Sequence, residues 1–163
     1  MVTIIFPDRD TEKRALAFLL GRFSGRVLRS GEHLVPEAAL EALADQNIPF
    51  TVKGKTTYEQ QMAAIRGAAT PRFNDGRDVP GEWMAEAVLE IVEHFGAASY
   101  ETQRVEGHWR HSGILYRDDL VRVVVDVPDS TRNRQWMRQF KERWKVRLEQ
   151  VELWMVSYRI EVE

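Results

Sequence analysis

Leu120-Val121-Arg122-Val123-Val124-Val125-Asp126-Val127, closed by Pro128-Asp129-Ser130, is the stretch on which the fold turns. Its β-branched residues are stiff at the first side-chain torsion and suit a pleated surface, so it reads as the strongest strand of the chain. Pro128 breaks it, and Asp129 and Ser130 offer capping oxygens for a long helix running to about Gln150. Val151 to Val162 then reads as a last strand, with Leu153, Met155 and Ile160 among its apolar residues.

Upstream of this stretch, Ser99 to Trp109 looks extended. Ser112-Gly113 and Asp118-Asp119 mark the connection between the two strands. Before that, Trp83, Val88, Leu89, Val92 and Phe95 repeat at helical spacing, with Glu86, Glu90 and Glu93 outside and Gly96 as the stop. The second half therefore orders as α-β-β-α-β. A preceding strand at Ile48 to Val52 would complete the split β-α-β pattern of a ferredoxin-like sandwich.

The first third supplies a further β-α-β-α-β run. Val2 to Phe6 is a strand ended by Pro7. Asp8, Asp10 and Thr11 can cap a helix whose apolar face is Ala15, Leu16, Phe18, Leu19, Leu20 and Phe23. Arg26 to Leu34 reads as one strand, and Pro36 opens a short helix through Ala39, Leu40 and Leu43 that Asn47 can close. The expected fold class is α+β, with short alternating strands and helices. Its parts are an N-terminal segment 1–66, a linker or long loop 67–81 and an α+β sandwich 82–163, which can also form one compact unit. Tyr58 to Arg66 is weakly helical by pattern.

Composition narrows the chemistry. The chain has 163 residues, no cysteine and a formal net charge of −2. Without cysteine there is no disulfide framework, thiolate nucleophile or Cys-ligated metal site. Near-neutral charge gives no bulk attraction to nucleic acid or anionic membrane. No apolar run approaches membrane-spanning length, and Met1 to Asp8 turns polar too soon for a secretory leader, so the expected location is cytoplasmic.

The motifs that could carry catalysis fall short. Lys53-Gly54-Lys55-Thr56-Thr57 is similar to the end of a phosphate-binding loop. The glycine that motif needs five residues before Gly54 is Pro49 here, so the backbone cradle is missing. Gly21-Arg22-Phe23-Ser24-Gly25 puts its serine one place late for a nucleophile elbow. His108 and His111 lie three apart in an extended stretch, which favours a wet hairpin over a ligand pair, and His33 and His94 are isolated. Asp75, Asp78, Asp118, Asp119, Asp126 and Asp129 sit where turns and caps use aspartate. No catalytic residue, metal ligand or cofactor is expected.

Two segments remain as binding candidates. On the long helix, 131–149, Trp136, Phe140 and Trp144 recur every four residues, and Arg134, Arg138, Lys141 and Lys145 form a contiguous basic stripe beside them. That stripe is either a solvated face or a contact for phosphates or an acidic partner. The loop 71–78 holds Arg72, Asp75, Arg77 and Asp78; its arginines could clamp an anionic ligand, and the loop could line a pocket between the two halves. The leading expectation is a non-enzymatic homodimer acting through protein–protein contacts. Nucleic-acid association through the basic helix is the first alternative, and a small-molecule protein or enzyme using the 71–78 loop is the second.

Overall fold

The computed structural model describes residues 1–55, 73, 77–111 and 114–161. β1 (Val2–Ile5) leads to α1 (Arg9–Leu19), whose N-cap Asp8 accepts the Thr11 N–H at 2.7 Å. A hairpin follows, β2 (Gly25–Leu28) and β3 (Glu32–Val35), then α2 (Ala38–Asp45) and β4 (Thr51–Lys55). The rest comprises α3 (Gly81–Phe95), β5 (Ala97–His111), β6 (Ile114–Val124) and α4 (Thr131–Arg147). The fold is α+β: the described residues form four helices and one six-stranded sheet of order β4-β1-β3-β2-β5-β6, antiparallel at every pairing.

Three strand expectations are corrected. Arg26 to Leu34 is not one strand. It folds on Arg29-Ser30-Gly31, where Gly31 takes φ +82°, and Arg29 donates its N–H to the Gly96 carbonyl. The strand expected at Ile48 to Val52 begins only at Thr51, because the Ile48 N–H is spent on the Leu43 carbonyl at the end of α2 and Pro49 has no N–H to give. The last expected strand is not built: residues 151–161 pair with no strand among the described residues.

The order of elements also differs from the expected one. The strand proposed to complete the second half, β4, lies at the opposite edge of the sheet from β6. A β-α-β-β-α-β run does occur, but over residues 2–55, where β1-α1-β2-β3-α2-β4 pairs in the order β4-β1-β3-β2. The second half then extends that sheet through the β2–β5 pairing, with Val27 opposite Ala98 and Gly25 opposite Tyr100.

Alternation decides which face is buried. Val2, Ile4, Val27, His33, Val35, Ala98 and Tyr100 point into one core with Leu16 and Leu19 of α1, Leu43 of α2, Val88 and Val92 of α3, and Phe140 and Trp144 of α4. Each large aliphatic side chain removed from water there contributes about 1.5–3 kcal/mol. α3 ends at Gly96, whose φ of +97° is the left-handed cap a glycine accommodates without strain.

Candidate protein–protein interface

Beyond α4 the chain turns back on itself. Leu148 and Gln150 donate their N–H groups to the carbonyls of Trp144 and Lys145, and Glu149 takes φ +49°. Residues 151–161 then run alongside α4 in the reverse sense. Glu152 meets Lys141 at 2.5 Å, and Arg159 approaches Asp129, just before the helix, at 3.5 Å. The Lys141 ammonium holds the Glu152 carboxyl below the usual carboxylate range.

From Val151 to Val156 the side chains alternate between half-buried and exposed, and from Val156 to Glu161 all are exposed. Val151, Leu153 and Met155 are half-buried, and Leu153 and Met155 pack on the core. Trp154, Val156, Tyr158 and Ile160 are 78%, 62%, 77% and 53% exposed. Among the described residues, no backbone–backbone hydrogen bond involves 151–161. A segment that makes no backbone–backbone hydrogen bond among the described residues and carries an exposed apolar row is a surface suited to strand addition.

The basic helix is largely neutralised by its own fold. Arg143 pairs with Glu90 and Arg147 with Glu86, both acids on α3, and the Trp144 indole N–H donates to Glu90 at 2.8 Å. Glu86 also receives Lys13 of α1 at 2.7 Å; the Lys13 hydrogen bond, reinforced by Arg147, holds its carboxyl below the usual range. The Arg147 guanidinium lies over the rings of Trp83 and Trp144. Acids that looked merely solvent-facing in the sequence therefore join α1, α3 and α4.

Of the four stripe residues, Arg134 pairs with Asp129 at 2.6 Å and Lys141 with Glu152, while Arg138 and Lys145 form no ion pair among the described residues. Trp136 is half-buried and stacks on His94, with centroids 4.2 Å apart and rings 5° from parallel, and on Phe140. Its face is occupied within the protein.

Arg72 and Asp75 of the 71–78 loop lie outside the described residues. Phe73 and Val79 are buried, and Phe73 packs edge-on against Trp83. Arg77 covers the Phe73 ring and reaches Glu149 at 3.0 Å, while Asp78 is exposed. The described part of the loop is thus anchored near the far end of α4. A shallow, open hollow of about 480 Å³, lined by Ala44, Asn47, Ile48, Pro49 and Phe50, has no ionisable group in its walls.

One buried polar pair had no motif to announce it. His33, fully buried on β3, sits 2.8 Å from Glu12 of α1. The usable signal was that Glu12 falls three, four and seven residues before Ala15, Leu16 and Leu19, on the apolar arc of its helix. No family model, curated protein or solved structure matches the chain. Among the described residues no helix is long and apolar enough to cross a membrane, and no three His, Asp or Glu residues cluster as a metal site.

Proposed function

We propose that this chain is a non-enzymatic cytoplasmic association module, working as a homodimer through protein–protein contacts. The observation that carries the reading is the exposed row Trp154, Val156, Tyr158 and Ile160 on a segment that makes no backbone–backbone hydrogen bond among the described residues. Exposed Trp and Tyr side chains of this kind are the anchors on which interfaces concentrate their energy. In this reading residues 2–55 carry the ferredoxin-like β-α-β-β-α-β unit, and the second half extends its sheet and presents the contact surface.

Nucleic-acid association has less support, because Arg134 and Lys141 are already ion-paired and Trp136 is stacked on His94. Light scattering coupled to size exclusion, run over a range of micromolar concentrations, tests the proposal. The expected result is a concentration-dependent dimer that Trp154→Ser with Tyr158→Ser converts to monomer at an unchanged melting temperature. A monomer at every concentration overturns it.

A further inference from the structure

The exposed row is complementary to itself. When two copies of the segment are laid antiparallel about a two-fold axis at Ser157, Trp154 lies opposite Ile160 and Val156 opposite Tyr158. Each aromatic ring then faces a β-branched side chain, one of the favourable cross-strand combinations. With the axis moved to Val156, Ile160 would face Glu152; with the axis at Tyr158, Trp154 has no counterpart within the row. A slip by one residue would send the whole apolar row to the opposite face.

The other face fits the same register. Ser157, at the axis, meets its own copy with the smallest side chain of the segment, and Met155 faces the aliphatic stem of Arg159. The backbone of residues 154–161, which makes no backbone–backbone hydrogen bond among the described residues, supplies the ladder between the two strands. Such an arrangement is isologous: the same patch serves both copies, and association stops at two. Trp154 and Tyr158 each offer roughly 150–250 Å² for burial.

We propose that residues 153–161 form the dimerisation strand, pairing antiparallel with the same residues of a second copy about Ser157. The proposal rests on the association reading above and specifies its partner and register.

The absence of cysteine makes the test direct, because a single introduced thiol can cross-link only between chains. Ser157→Cys, Val156→Cys and Tyr158→Cys, with Ser30→Cys in the β2–β3 turn as control, would each be oxidised mildly in the full chain and run on a non-reducing gel. Opposed Cβ atoms in an antiparallel pair lie about 4.5–5.5 Å apart, close to disulfide reach. Residues 156 and 158 are displaced from their own copies by two positions, about 7 Å along the strands. The expected result is efficient cross-linking of Ser157→Cys and several-fold less at the other three positions. A dimer by light scattering that cross-links equally well at 156, 158 or 30 overturns the register and leaves the association reading standing. A monomer at every concentration, with no cross-link above the Ser30→Cys control, overturns both.

Discussion

The Oε1 atom of Glu12, on α1, lies 2.8 Å from Nε2 of His33, on β3, inside the core. Burial acts to raise the Glu12 carboxyl, but the hydrogen bond and charge of His33, together with Arg9, outweigh it and hold the group below its ordinary value. An ionised carboxylate only accepts, so His33 donates from Nε2, and its buried Nδ1 has no partner among the described residues.

A carboxyl whose folded value is depressed stabilises the protein above its unfolded value and loses that contribution as the pH falls through the folded one. Thermal melts should therefore show the melting temperature falling as the pH drops below about 4.5. Glu12→Gln should lower stability at pH 7 by about 1–3 kcal/mol and flatten the acid limb of the curve. An acid limb identical in both proteins would show that other carboxyls govern it.

Trp144 joins α4 to α3 by both packing and a hydrogen bond to Glu90. Trp144→Phe keeps an aromatic ring and removes the donor, so the expected loss is about 1 kcal/mol, or about 2–4 °C in melting temperature. Trp144→Ala, which also opens a cavity, should cost about 3–5 kcal/mol. Chemical denaturation of the two variants, compared at one concentration, checks both values.

Gly25 is crowded. A Cβ there would lie 2.4 Å from the Tyr100 hydroxyl oxygen, 2.7 Å from its ring carbon and 2.9 Å from the Leu34 carbonyl oxygen. Tyr100 is fully buried and the carbonyl belongs to a strand, so neither yields freely. Gly25→Ala should destabilise by about 1–3 kcal/mol. Gly54→Ala, with nothing within 4 Å of the new methyl, should be near neutral or slightly stabilising, and urea melts of the pair would separate the two effects.

With only Arg138 and Lys145 of the basic stripe lacking an ion pair among the described residues, about two phosphates are the most that the stripe can neutralise. Any binding of a labelled random oligonucleotide should then fall with salt at a logarithmic slope of about −2 or shallower. A slope several times steeper, abolished by Arg138→Glu with Lys145→Glu, would promote nucleic acid to the leading partner.

The sequence conveyed most helices, because 3.6-residue periodicity and caps such as Asp8, Ser130 and Gly96 are local features. It conveyed strand pairing poorly. Whether Arg26 to Leu34 is one strand or two depends on the Gly31 backbone, and the place of β4 beside β1 depends on contacts distant in the chain. Residues 151–161 show why a strand-like pattern alone misleads: exposure alternates only from Val151 to Val156, and no neighbouring strand completes a ladder among the described residues. The α3 acids were legible as a polar face but not as partners of α1 and α4, since complementarity between helices is not written in either one.

The strand order has a consequence for how fast the chain reaches this state. β1 must find β4, with Val2 against Lys55, and β2 must find β5, with Gly25 against Tyr100, so these two pairings close loops of about 50 and about 75 residues. Sheets assembled from such distant pairings fold in roughly milliseconds to seconds rather than microseconds. During that interval the unpaired residues from Trp154 to Ile160 face other molecules before the sheet is closed, and refolding yield should decline as protein concentration rises.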